Sequence, residues 1–327
     1  MKEQPQDVGD NALRHTLRAW GIDPVRLAYA PVGFGDHHWT ASGGGDWFVT
    51  VADLEHKDHC GAGAEAAWRG LRRAMDTAAL LRESGPLPFV LAPLRTPGGE
   101  TVRRMPGGRY AMSVFPLVTA VAGEFGQRLP AERRARVVEI LAALHRMPVP
   151  RGILVIPSAP PGAGALERAL REPSAAVPAG PFTEPAAELL AASRGALRRR
   201  LGEFGRRAAA LAAGGGEPVV THGEPHPGNL LWDGRGRPLL ADWDTVGLAS
   251  PERDLWLAAA GPEDLDRWSE LTGRRPDPSA LALHRLRWDL ADTAEFLSLF
   301  RAPHTRGADT EEAWRGFTGT VERLVAG

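Results

Sequence analysis

The chain reads Thr221-His222-Gly223-Glu224-Pro225-His226-Pro227-Gly228-Asn229-Leu230-Leu231 and then, after a short break, Leu239-Leu240-Ala241-Asp242-Trp243-Asp244, where Asp242 and Asp244 close an apolar run. Two short strands therefore carry His222, Glu224, Asn229 and Asp242 to one place. Pro225 and Pro227 keep the segment between them from being a regular strand, which weakens a reading of His222, Glu224 and His226 as metal ligands on one strand face. A group of hydrogen-bonding and metal-binding oxygens of this kind suits the holding of magnesium and a nucleotide's terminal phosphate while a hydroxyl attacks.

The spacing closely resembles the catalytic segment of the aminoglycoside phosphotransferase and choline kinase family. It departs at one position, because Glu224 stands where that family usually places its catalytic Asp. The resemblance implies an α+β, two-lobed protein-kinase-like fold. A small antiparallel β-sheet N-lobe is expected over residues 1–116 and a larger, mainly helical C-lobe over residues 117–327. It further implies catalytic roles for Glu224, Asn229 and Asp242. Glu224 would accept or orient the acceptor hydroxyl's proton, while Asn229 and Asp242 would ligate Mg2+, with ATP or GTP as phosphate donor. Such chemistry asks for in-line placement and charge neutralisation more than covalent work. The extra methylene of Glu224 displaces its carboxylate by about 1.5 Å, one carbon-carbon bond, which demands a shifted backbone or a shifted acceptor. His222 is structural in that resemblance. Pro251-Glu252-Arg253-Asp254-Leu255-Trp256 resembles the downstream segment in which an Asp anchors the catalytic loop, and His145 matches a helix ending.

Upstream, residues 11–20 read as an amphipathic helix ending at Gly21. Strands follow at 26–32, 37–41 and 47–51, then a helix over 64–83 and two more strands at 89–94 and 109–117. From Pro130 the pattern turns helical: 131–146, 184–213, and helices starting at Asp254, Pro262 and Ala280. The Pro/Gly/Ala-rich stretch from Pro157 to Pro181 reads as an exposed connection.

Within this frame Gly33, Phe34 and Gly35 lie between the first two strands, in the manner of a short glycine-rich loop over a phosphate. The strand lysine of kinases is missing, because Phe48-Val49-Thr50-Val51 puts Thr50 in its place. Lys2 and Lys57 are the only lysines, so Lys57 is the replacement cation nearby, with Glu65 as a candidate helix partner. Val114-Phe115-Pro116-Leu117 is the expected interlobe link, where main-chain groups at Phe115 and Leu117 meet a purine, although Pro116 cannot donate there. The helix from Leu283 to Phe300 carries Asp289 and Asp292 at spacings that allow one mixed acidic and aromatic face, which suits a cationic acceptor.

Composition sets the outer bounds. The length of 327 residues exceeds a single core, and 43% apolar with 24% charged residues describes an ordinary globular protein. A formal net charge of -1 gives no general attraction to nucleic acid or membrane, and the polar start lacks a secretory signal, so a cytoplasmic protein with small-molecule partners is expected. Cys60 is the only cysteine, which excludes an internal disulfide and the Cys-x-x-Cys of a zinc deaminase. The resemblance thus implies a phosphotransferase acting on a small-molecule hydroxyl, with an antibiotic as lead acceptor: an aminoglycoside, a spectinomycin-like compound or a nucleoside antibiotic. A homoserine- or choline-like metabolite stands behind it, and a nucleotide-binding pseudokinase is the rival motivated by Thr50 and Glu224.

Overall fold

The computed structural model describes residues 1–172, 179–214 and 216–327. The chain forms two compact units, Met1–Ile156 with Pro218–Pro276, and Pro157–Glu217 with Asp277–Gly327. No helix among the described residues is long and apolar enough to cross a membrane.

The first unit opens with α1 (Asp10–Leu17) and β1 (Arg26–Ala30), β2 (His37–Ser42) and β3 (Asp46–Asp53), followed by α2 (Ala64–Ser84), β4 (Val102–Arg104) and β5 (Tyr110–Pro116). The strands form one antiparallel sheet in the order β1-β2-β3-β5-β4. Period-two alternation along β3 explains why this sheet is buried on both sides. Val49 and Val51 join the core that holds Leu13 and Leu17 of α1, whereas Phe48 and Ala52 join the core built on α2. The second core is filled from α2 by Ala67, Leu71, Ala74, Met75, Ala78 and Leu81, one helical stripe.

The expected strand at 89–94 is instead an extended segment with a single bridge, Val90 to Leu240. Pro88 and Pro93 bracket it and remove donors a ladder needs. It still makes two bonds: the Leu91 N–H donates to the Leu240 carbonyl at 3.0 Å, and the Leu240 N–H to the Phe89 carbonyl at 2.7 Å. The small-lobe backbone is thereby tied to the strand that leads into Asp242.

Next come β6 (Ala120–Ala122) and α3 (Ala131–His145), and, after the other unit's first segment, β7 (Val219–Thr221), β8 (Leu230–Asp233), β9 (Pro238–Leu240) and β10 (Gly247–Ala249). β6, β8 and β9 make a three-stranded sheet, and β7 pairs with β10. Helices at Glu252–Ala258 and Pro262–Thr272 complete the unit.

The second unit is helical. Ala163–Arg171 forms a helix, buried through Leu166, Ala169 and Leu170, in the stretch expected to be an exposed connection. The signal was hidden by flanking prolines and glycines; residues 173–178 of that stretch lie outside the described residues. Helices at Thr183–Ala213, Pro278–Arg301 and Ala308–Ala326 share one core around Leu190, Leu197, Leu290, Phe300 and Phe317.

Candidate active site

The loop leaving β7 is fixed by a buried carboxylate. Asp254, fully buried, accepts the His222 N–H at 2.9 Å and the Gly223 N–H at 2.6 Å on its two oxygens. His145 Nε2 meets the same carboxylate at 3.0 Å, while the Trp268 indole donates to His145 Nδ1 at 3.0 Å. With Nδ1 accepting, the imidazole proton sits on Nε2 and is donated to Asp254. Burial alone would raise the Asp254 carboxyl, but these donors and the nearby Arg253 hold it below the ordinary range. Arg253 adds a second brace, donating to Thr221 Oγ1 at 2.8 Å and to the Thr245 carbonyl at 2.9 Å. Gly223 has φ +104°, and a Cβ there would collide with the Arg253 guanidinium, so glycine is required twice over.

His222 is buried, donates from Nε2 to the Ala241 carbonyl at 2.9 Å and accepts the Glu224 N–H on Nδ1 at 3.2 Å. Burial pushes its pKa down to about 4, so the ring is neutral and joins the loop to the strand before Asp242. Asn229 donates from Nδ2 to the Glu224 carbonyl at 3.0 Å, which leaves Oδ1 as the end of the amide that could accept from a donor or meet a cation, and the Ala241 N–H donates to the Asn229 carbonyl at 2.9 Å. Glu224 and Asn229 are thus side by side in one loop, with Asp242 one residue beyond Ala241, the partner of His222 and Asn229.

Asp242 has φ +63°, the only non-glycine among the described residues in the left-handed region. Its side chain is open to solvent, yet protein crowds it enough that burial is the first cause raising its carboxyl well above the usual range. The charges of Asp244, Glu224 and Asp36 raise it further, against a lowering by Lys57. Four carboxylates acting on one another, beside an amide oxygen, form a donor set of hard oxygens with excess negative charge. That set fits a divalent cation such as magnesium.

Lys57 lies inside this group. Its Nζ is 2.5 Å from Asp244 Oδ2 and 2.9 Å from Asp36 Oδ2, and the residue is 6% exposed. Burial opposes its charge, but Asp244 and Asp36 outweigh burial and raise its pKa well above the ordinary value. His59 Nε2 reaches the same Asp244 oxygen at 2.9 Å. Thr50 pairs with Ser113 across the sheet and meets His38 at 3.2 Å. Glu65 is at the surface, against Arg69 at 3.3 Å and against Arg104, and so is not the partner of Lys57.

Gly33 and Gly35 have φ +71° and +96°, which only glycine adopts readily, and Phe34 between them is 42% exposed. Asp36, next in the loop, is the residue that reaches Lys57. Phe115 is buried opposite Phe48, and the Leu117 N–H donates to the Asp46 carbonyl at 3.2 Å, so that donor is already used within the sheet. Asp289 and Asp292 lie on the Pro278–Arg301 helix of the second unit. Arg323 donates to Asp289 Oδ1 through Nη2 at 2.7 Å and Nε at 3.0 Å.

Sequence reasoning passed over Asp36 and His59 and left Asp244 undecided. The signal available was charge balance: a buried lysine needs carboxylates, and Asp36 flanks the glycines while Asp244 follows Asp242 by two residues.

A family model described as the phosphotransferase enzyme family matches residues 39–300. Protein StrN of Streptomyces griseus is 31% identical over 271 residues, covering 77% of this chain and 79% of that protein. The crystal structure of spectinomycin phosphotransferase APH(9)-Ia, in complex with ADP and spectinomycin, superposes with a TM-score of 0.72 at 17% identity, covering 98% of this chain and 99% of that one. Choline kinase LicA from Streptococcus pneumoniae gives a TM-score of 0.54 at 11% identity, over 93% and 95% of the two chains. The two structural likenesses establish a shared fold.

Proposed function

The chain belongs to the phosphotransferase enzyme family, and from that premise we propose that it moves the γ-phosphate of ATP or GTP to a hydroxyl of a small-molecule antibiotic, of the aminoglycoside, spectinomycin-like or nucleoside class. The observation that carries this reading is the pairing of a carboxylate-rich recess around Asp242 with the buried ammonium of Lys57. Asn229 and Asp242 would hold magnesium, which when bound neutralises charge on the phosphate oxygens. Lys57 supplies a point charge for the donor's phosphates in place of the strand lysine, with the Gly33-Phe34-Gly35 loop offering backbone N–H groups above it. Glu224 takes or orients the proton of the acceptor hydroxyl as the new oxygen-phosphorus bond forms. The backbone near Phe115 and Leu117 receives the purine, and Asp289 and Asp292 are proposed acceptor contacts. The enzyme is proposed to work in the cytoplasm.

The antibiotic class is favoured by the end-to-end likeness to a spectinomycin phosphotransferase. The test incubates the purified protein with magnesium, γ-labelled ATP or GTP, and a panel of hydroxylated antibiotics beside homoserine and choline. Label on an antibiotic, abolished by Asp242→Ala, supports the reading. Transfer to homoserine or choline alone replaces the acceptor class, and saturable nucleotide binding with no transfer identifies a pseudokinase.

A further inference from the structure

Next to the phosphate-facing residues, His59, Cys60 and Asp244 present an imidazole nitrogen, a thiol sulfur and a carboxylate oxygen that all lie within 4.8 Å of one another. His59 Nε2 is 2.9 Å from Asp244 Oδ2, and the Cys60 thiol points at the Asp244 carbonyl at 3.7 Å. Their supports are rigid. The Cys60 N–H closes a turn onto the Lys57 carbonyl at 2.9 Å, and α2 packs against Cys60 so closely that Gly70 has no room for a Cβ. Cys60 is 8% exposed, while the His59 side chain, 24% exposed, leaves a way in from solvent.

We propose that His59, Cys60 and Asp244 form an inhibitory site for a thiophilic divalent cation, zinc above all. Tetrahedral zinc with sulfur, nitrogen and oxygen ligands sets its donor atoms about 3.3–3.6 Å apart. The widest separation, 4.8 Å at most, closes to that spacing by about 1.5 Å or less, while His59 Nε2 and Asp244 Oδ2, now 2.9 Å apart, open slightly. Magnesium demands six oxygens and does not compete for a thiolate, so the donor set separates the two metals. On binding, the Cys60 thiol releases its proton to solvent and a sulfur-zinc bond forms; no electron changes hands. Three protein ligands leave the fourth position to water.

Occupancy has a consequence through Asp244, which Lys57 and the site share. Zinc draws the Asp244 carboxylate away from Lys57 and unseats the ammonium, so it slows phosphoryl transfer. This last clause rests on the proposed role of Lys57; the metal site does not.

The test is a cobalt titration of the full chain followed by absorption. The expected result is a one-to-one complex with a thiolate-to-cobalt charge-transfer band in the near ultraviolet and tetrahedral bands in the visible, displaced by zinc. Cys60→Ser removes the charge-transfer band, and His59→Ala weakens binding at least tenfold, while Asp242→Ala leaves the band in place. Melting curves of each variant establish that it is folded. Absence of the band in the wild type, or cobalt binding unchanged in Cys60→Ser, overturns the site. In a transfer assay, zinc inhibits the wild type and spares Cys60→Ser; a site that binds cobalt while zinc leaves turnover unchanged overturns the inhibitory role. The spectra need no substrate, so failure of the site and failure of the phosphotransferase reading are told apart.

Discussion

Lys57 and Asp244 are 187 residues apart in sequence and meet at 2.5 Å between Nζ and Oδ2, with side chains 7% and 8% exposed. The contact joins the segment after β3 to the segment after β9, and Asp36 completes it from the glycine-bearing loop at 2.9 Å. One ammonium thus holds three separate pieces of chain.

Lys57→Ala leaves Asp36, Asp242 and Asp244 facing each other without their cation. Removing one partner of a buried pair costs about 3–5 kcal/mol, so the variant should melt well below wild type and recover part of that loss in millimolar magnesium. Transfer should fall about 10²–10³-fold in kcat/KM for the nucleotide. Retention of wild-type kinetics would remove Lys57 from the phosphate site.

Asp242→Asn separates charge from backbone. Asn tolerates the left-handed φ of +63°, while the loss of one of four mutually repelling carboxylates relieves the repulsion among the rest. The melting temperature should therefore hold or rise, with activity lost by about 10³-fold or more. A joint fall in both would make Asp242 a structural residue.

Glu224 is read as the proton acceptor. Glu224→Gln should cost about 10²–10⁴ in kcat with little change in nucleotide binding. Glu224→Asp should fall short of the wild type as well, by about tenfold or more, because the loop is fitted to the longer side chain. Steady-state kinetics of the two variants decide it, and an Asp variant faster than wild type would show that the glutamate is a handicap.

Gly223→Ala places a methyl against Arg253 at a φ of +104°. The loss should exceed about 2 kcal/mol in denaturant unfolding. Arg253→Ala tests the same collision from the other side, since it empties the space the methyl would need. The double variant should accordingly be less destabilised than the sum of the singles.

Acid should weaken the fold. Burial lowers His38 to about 3 and His222 and His226 to about 4. Between pH 6.5 and about 4 these three side chains bind protons in the unfolded chain that the native state refuses, so their contribution to stability is complete above about 6.5 and declines as pH falls. Each such histidine contributes a slope of about 1.4 kcal/mol per pH unit in that window. A His226→Asn variant should show a shallower decline of melting temperature with pH, and an unchanged slope would place the acid sensitivity elsewhere.

The fold was legible where period and punctuation agreed. The three opening strands, the long α2 stripe and the helices after Pro130 all follow from alternation, 3.6-residue spacing and glycine or proline stops. The segment Phe89 to Leu94 misled because its apolar, β-prone composition outlasts the donors that Pro88 and Pro93 remove. The helix Ala163–Arg171 was masked for the opposite reason: its stops dominate a short run whose buried face is only Leu166, Ala169 and Leu170. In the site, the loop residues His222 to Asn229 could be read because their spacing is local. The Lys57, Asp36 and Asp244 group could not be assembled in full, since the pairing depends on three distant turns and on charge burial that no window of sequence contains.

Asp254 grips two consecutive amides, those of His222 and Gly223, and is itself gripped by His145, which Trp268 holds in turn. The backbone immediately before Glu224 is therefore a fixed abutment, and a methylene added at position 224 cannot be absorbed by retreat of the chain. It is passed forward, to wherever the acceptor hydroxyl must wait. If Glu224 takes the acceptor's proton as proposed, glutamate in this loop would act as a gauge of depth, selecting acceptors whose hydroxyl stops short of where an aspartate would need it. Exchanging one acidic residue for the other would, on that reading, change the range of acceptors in the same step.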